Sequence, residues 1–285
     1  MAKLEVNGVA LEYVERGTGE PLVLVHGSSS DYRTWNAQVA EFGTRYRTIA
    51  YSRRYHWPNE RIPEGVDYSM GQHVDDLQAV LYNLGPGQFH LVGHSYGAVV
   101  CLLLAIREPA LVRTLVLAEP PAITLFVSSH PKPWEIVKLA ITRPRTAAGI
   151  VKLGARGFAP AAAAARRDDM DTAVQIFAHA VLGRDYYNRL SPSRLDQARA
   201  NAIKAEFLGS GVAPLDDASI QSVQIPILLV SGHDSPAVFH RCLDRLEELL
   251  PRTERIEIGG ASHIVHEDNT PTYNAAVLSF LASSE

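Results

Sequence analysis

The stretch Phe89-His90-Leu91-Val92-Gly93-His94-Ser95-Tyr96-Gly97-Ala98-Val99-Val100-Cys101-Leu102, running on to Arg107, decides the fold. Its first part is a short apolar run closed by glycine, which suits a strand buried on both faces of a parallel sheet. From Tyr96 to Arg107 it reads as an apolar helix that ends before Pro109. Between the two lies G-x-S-x-G, Gly93 to Gly97. A chain that passes from strand to helix in so few residues must turn sharply, and glycine at both ends of the motif avoids clashes. The turn lifts Ser95 above the sheet edge and aims the Tyr96 backbone N–H where an oxyanion would develop. The plainer alternative is a glycine-flanked turn with a surface serine. A strand before the motif and a helix after it favour the nucleophile.

Outward from this turn the same rhythm repeats. Towards the N-terminus, Pro21 to Gly27 (PLVLVHG) and Tyr46 to Tyr51 read as strands. Ser69 to Leu84 reads as a helix with Met70, Val74, Leu77, Val80, Leu81 and Leu84 on one side. Ser69 and Gln72 form a capping box at its start. Leu4 to Val14 alternates about Asn7-Gly8, the signature of a β-hairpin. Towards the C-terminus, Thr114 to Pro121 (TLVLAEPP) is a strand halted by two prolines. Strand-helix alternation resumes at Ile225 to Gly232 (IPILLVSG), then a helix over 241–250, the strand ERIEIGG and a final helix over 270–281. Alternating elements imply a mostly parallel sheet with helices on both faces, and ligands in such sheets sit at the C-terminal strand ends. From 122 to 208 the alternation stops and the reading is helical, with an alanine-rich run over 159–165. The domain reading is therefore a core of 1–121 and 209–285 with a helical lid, 122–208, inserted. Its aromatics, Phe126, Trp134, Phe158, Phe177, Tyr186 and Tyr187, are expected mostly in the lid core, with a few lining an apolar pocket.

The order HG after an early strand, then GHSYG, then a late G-x-x-H resembles the α/β-hydrolase superfamily over nearly the whole chain, the insertion matching only in position. The resemblance implies an α/β-hydrolase fold and a serine hydrolase. By that match the loop His26-Gly27-Ser28 offers the Ser28 N–H as the second oxyanion donor, beside that of Tyr96, with Ser29 next in line. Ser30 or Asp31 can cap the helix that starts near Tyr32. His263, in Gly259-Gly260-Ala261-Ser262-His263, follows the last strand; its pKa near neutrality suits taking the serine proton and returning it to a leaving group. His266 is the nearest competitor. Where many family members carry D-x-R-G-x-G-x-S, this chain has Tyr51-Ser52-Arg53-Arg54-Tyr55-His56, so Arg53 remains as an ion-pair or backbone clamp while the glycines are gone.

The acid that must orient the imidazole has two candidates. The usual family location has Gly-x-x-Asp, and here Gly232-His233-Asp234-Ser235 sets aspartate one position early. The other known location, after the strand following the nucleophile helix, holds Glu119. A carboxylate at the end of a buried apolar strand is costly unless partnered, which marks it for function. Glu119 is preferred for its register, with Asp234 as the alternative acid or a reserve.

Composition narrows the function classes. The chain has 285 residues, 27 basic and 31 acidic, and 46% hydrophobic residues. This is an ordinary globular balance with no basic face for nucleic acid. Two cysteines, Cys101 and Cys242, make no disulfide framework, and no apolar run approaches the ~20 residues of a membrane span. The N-terminus has no signal pattern, so a cytoplasmic location is expected. The histidines show no paired ligand spacing, so no metal and no cofactor are expected. The leading expectation is cleavage of a carboxylic ester or lactone in a small hydrophobic substrate through an acyl-enzyme. The alternatives are a C–C bond hydrolase with the same triad, or a small-ligand-binding protein with little turnover. Serine argues against dehalogenase and epoxide hydrolase chemistry, whose relatives carry aspartate as nucleophile.

Overall fold

Asn7 and Gly8 both take positive φ, 46° and 76°, and turn the chain between β1 (Ala2–Val6) and β2 (Val9–Arg16). The register sets Val6 opposite Val9, a two-residue hairpin of the kind that Asn-Gly favours. The computed structural model describes residues 2–209 and 211–284. The remaining strands are β3 (Pro21–Val25), β4 (Arg47–Tyr51), β5 (Phe89–His94), β6 (Val112–Ala118), β7 (Ile227–Gly232) and β8 (Thr253–Ile258). Among the described residues they form one sheet in the order β1-β2-β4-β3-β5-β6-β7-β8. The hairpin joins antiparallel through β2 and β4, and all pairs from β4 to β8 are parallel. Every residue of β5 and β7 is buried, which is why both are mostly apolar, with His90 of β5 hydrogen-bonded to Thr114.

Helices cover both faces. On one side α2 (Met70–Leu84) and α3 (Tyr96–Arg107) bury Leu77, Val80, Leu81, Val99, Leu102 and Leu104 against the sheet. The capping box of Ser69 and Gln72 starts α2 as expected. On the other side α1 (Asn36–Phe42) contributes Val39 and Phe42 to a second layer around Trp35, Val92 and Val116. Each fully buried aliphatic side chain of this kind contributes about 1.5–3 kcal/mol, so the two layers position the strand ends firmly.

Between β6 and β7 the chain is helical: α4 (Pro133–Thr142), α5 (Pro144–Leu153), α6 (Ala159–Arg166), α7 (Met170–Leu182), α8 (Arg184–Tyr187), α9 (Pro192–Ala200) and α10 (Lys204–Leu208). α11 (Asp217–Gln221), α12 (Ala237–Leu249), α13 (Val265–Asp268) and α14 (Thr270–Ser283) complete the chain. The inserted helices pack Leu139, Ile150, Leu153, Val181 and Leu182 onto Val238 and Phe239 of α12 and onto Ile264. Two aromatics expected in that interior lie outside it: Trp134 is 60% and Phe158 43% exposed. The one buried residue of α4 is Leu139, so its Trp134 side is left to solvent.

Candidate active site

The site begins with the turn after β5. Ser95 has φ 50° and ψ −120°, a strained conformation for a residue with a side chain. Two close approaches explain the flanking glycines. A Cβ at Gly93 would lie 2.5 Å from Cα of Ala98, and one at Gly97 would lie 2.3 Å from the carbonyl oxygen of Val25. The Ser95 N–H donates to Ala118 O at 2.8 Å, so the end of β6 holds the turn. Tyr96 is the first residue of α3, where a helix leaves its N–H groups without intrahelical acceptors.

Three strand ends converge above this turn. His263 lies in the loop after β8, and its Nε2 is 2.9 Å from Ser95 Oγ. Its Nδ1 is 3.1 Å from Oε2 of Glu119, which immediately follows β6. If the serine hydroxyl donates to Nε2, the ring proton must sit on Nδ1 and point at Glu119. Glu119 is fully buried at φ 54°, and its N–H donates to Val230 O at 2.9 Å. Its Oε1 accepts from the Gly232 N–H and the Ser235 hydroxyl, each at 2.8 Å. Burial pushes Glu119 up to about 8, against the opposing pull of those two bonds. Burial also pushes His263 down to about 3, so the imidazole rests neutral.

Asp234 is not brought to this cluster. It is exposed, and its Oδ2 accepts from the Tyr186 hydroxyl at 2.5 Å. The cause is the turn after β7: Ser235 N–H donates to Gly232 O at 3.1 Å, and this turn sets Ser235 inward on Glu119 and leaves Asp234 outward. His266 is buried behind the site, its ring 4.6 Å from that of His94 and 4.2 Å from that of Trp35.

Several supports were not singled out in the sequence. His94, inside the G-x-S-x-G motif, has its Nε2 2.7 Å from the carbonyl oxygen of His263 and so holds the loop that carries His263. Phe239 packs its ring 4.2 Å from the His263 ring. Next to Ser28, the Ser29 N–H donates to Oε2 of Glu206 at 3.3 Å, at a residue with φ 47°. Asp31 caps the short turn Tyr32–Trp35 by accepting from the Arg33 N–H. Arg53 clamps the backbone, donating from Nε to His26 O at 3.1 Å and from Nη2 to Gly27 O at 3.0 Å.

A family model described as the alpha/beta hydrolase fold matches residues 20–270. The chain belongs to the α/β-hydrolase fold family. A curated relative along its whole length is 2-(acetamidomethylene)succinate hydrolase of Mesorhizobium japonicum, 25% identical over 98% of this chain and 94% of that protein. Epoxide hydrolase 4 of Mus musculus is 26% identical over 45% of this chain; the match spans only 37% of that protein's length. Among solved structures, an esterase of Thermogutta terrifontis superposes on this α/β-hydrolase with a TM-score of 0.77 at 19% identity, covering 100% of this chain and 99% of the other. The enol-lactonase of Burkholderia xenovorans gives 0.75 at 21% identity, covering 99% and 100%. At these identities the structural likeness speaks for the fold. Among the described residues, no helix is long and apolar enough to cross a membrane.

Proposed function

We propose that this α/β-hydrolase is a cofactor-independent serine hydrolase of carboxylic esters or lactones. The observation that carries the reading is the hydrogen-bonded line from Ser95 Oγ through His263 to Glu119, at 2.9 and 3.1 Å, across three separate strand ends. In the mechanism, Ser95 Oγ attacks the carbonyl carbon while His263 Nε2 takes its proton. Glu119 holds the Nδ1 proton and stabilises the imidazolium. The Ser28 and Tyr96 N–H groups hold the tetrahedral oxyanion; preorganised donors of this kind contribute about 3–4 kcal/mol each. His263 then protonates the leaving alcohol, activates water against the acyl-enzyme, and the acid is released. Phe239 on His263 and the apolar cluster of the inserted helices support a hydrophobic acyl group, and we propose that segment 122–208 is a lid over a core of 1–121 and 209–285.

The chemistry of the nucleophile counts against epoxide opening. Serine attack on an epoxide would leave an ether, which water cannot hydrolyse, whereas a carboxylate nucleophile leaves a cleavable ester. The test is Ser95→Ala, read on p-nitrophenyl esters of rising chain length and on lactones. Turnover should fall by at least about 10⁴-fold on an unchanged fold, and an alkyl fluorophosphonate should label the Ser95 peptide in the wild type alone. A variant that keeps a tenth of wild-type turnover would remove the serine mechanism.

A further inference from the structure

The loop that offers the Ser28 N–H is held by one ion pair, and half of that pair comes from the inserted helices. Arg53 is 1% exposed and Glu206, on α10, has 7% of its side chain exposed. Arg53 Nη2 lies 3.2 Å from Glu206 Oε1, and the Tyr68 hydroxyl donates to the same oxygen at 3.0 Å. The guanidinium also gives Nε to His26 O, Nη2 to Gly27 O and Nη1 to Tyr68 Oη, with His73 Nε2 3.4 Å from Nη1. It also lies 4.5 Å from the centre of the Tyr96 ring.

These contacts fall on the two peptide units that flank Ser28. A peptide is planar and trans, so the Gly27 C=O and the Ser28 N–H point in opposite directions along one plane. Arg53 Nη2 and His26 Nδ1, at 3.0 and 2.8 Å, fix the Gly27 oxygen and thereby the direction of the Ser28 N–H. On the other side, Glu206 Oε2 takes the Ser29 N–H, which keeps that group out of the oxyanion position. Glu206 thus acts on both units, directly at Ser29 and through Arg53 at Gly27.

We infer that Glu206 is a positioning residue for the oxyanion loop, so that the Ser28 donor is fully set only while α10 is docked. This rests on the serine-hydrolase reading above. It makes the helical segment a contributor to transition-state stabilisation as well as to substrate shape. A misplacement near 1 Å at a reacting group can cost about 10²-fold, and loss of one oxyanion donor about 10²–10³-fold.

The experiment compares wild type, Glu206→Gln, Glu206→Asp and Ser95→Ala, with each variant's melting temperature as the fold control. Glu206→Asp keeps a negative charge opposite the buried arginine while withdrawing the carboxylate from the Ser29 N–H, so it remains informative if the glutamine variant fails to fold. Both Glu206 variants should lose about ten- to a hundredfold in kcat with KM within threefold. Inhibition by a trifluoromethyl ketone, which forms the oxyanion, should weaken in the same proportion. A folded Glu206 variant with kcat and inhibition within twofold of wild type would overturn the inference, as would a loss confined to KM or to melting temperature. Retained turnover in Ser95→Ala would overturn the serine reading itself, so the two failures are told apart.

Discussion

At the residue scale, the proposed mechanism turns on the acid. Glu119→Gln can keep the two bonds that Gly232 and Ser235 donate to Oε1, but it presents an amide N–H₂ to His263 Nδ1. The ring then favours a proton on Nε2, the wrong tautomer to accept from Ser95. We expect a kcat loss of about 10³–10⁴-fold with little change in KM, while Asp234→Asn stays within about threefold because its carboxylate faces Tyr186. Steady-state kinetics on both variants checks this, and equal activity in the two would remove Glu119 from the mechanism. The same residue predicts a pH effect on stability. Burial holds Glu119 up at about 8 against the ordinary 4.5. Between those values the folded chain keeps a proton that the unfolded chain loses, so this group's contribution is present below 4.5 and lost as pH rises through about 8, the same rise that forms the carboxylate the proposed mechanism uses. His263, lowered to about 3, acts in the opposite sense below its ordinary 6.5, but it does so in both proteins. The melting temperature of Glu119→Gln should therefore gain on wild type between pH 5 and pH 9. A difference independent of pH would sink this account.

At the scale of elements, the turn that carries Ser95, the proposed nucleophile, is set by α3 lying directly on β3. The 2.3 Å gap between a Cβ at Gly97 and Val25 O leaves no room for alanine without moving the helix or the strand. Overpacking of this kind costs about 1–3 kcal/mol, and any shift of α3 carries the Tyr96 N–H with it. Gly97→Ala should accordingly lower the urea midpoint and also reduce turnover in the fraction that stays folded. Normal turnover per folded molecule would mean that the helix start is not part of the site. These elements were legible in the sequence because the forces that set them are local. Asn7-Gly8 needs positive φ, Ser69 and Gln72 cap reciprocally, and strands buried on both faces are mostly apolar. The turn after β7 was less so. Whether Asp234 or Ser235 faces inward depends on the Gly232–Ser235 turn and on what Glu119 accepts there.

At the scale of the whole molecule, the helices between β6 and β7 meet α12 and the loop after β8 in an apolar cluster that includes Phe239 and Ile264, beside His263. Phe126 packs against both this cluster and the larger core layer. If the segment shapes the acyl pocket, Phe126→Ala should change the ranking of ester chain lengths, while fluorophosphonate labelling of Ser95 persists. The measurement is kcat/KM across the ester series beside the labelling rate. An unchanged ranking would place the specificity elsewhere. Trp134 and Phe158 are the exposed members of the aromatics expected in this interior, because composition marks a stretch as helical and aromatic but not which helix face meets a neighbour.

The sequence alone determined the family resemblance, the strand-helix order, and the candidates for each role: Ser95 as nucleophile, His263 as base and two rival acids. Each followed from short-range pattern: apolar periodicity, glycine spacing and the residue types that the chemistry requires. Only the tertiary structure decided which carboxylate meets His263, that the Ser29 amide donates to Glu206, and that Glu206 reaches Arg53 across 153 positions. Those are contacts between segments far apart in the chain. Their partners are selected by where the sheet and the inserted helices bring them in space, and no local pattern in the sequence encodes that placement.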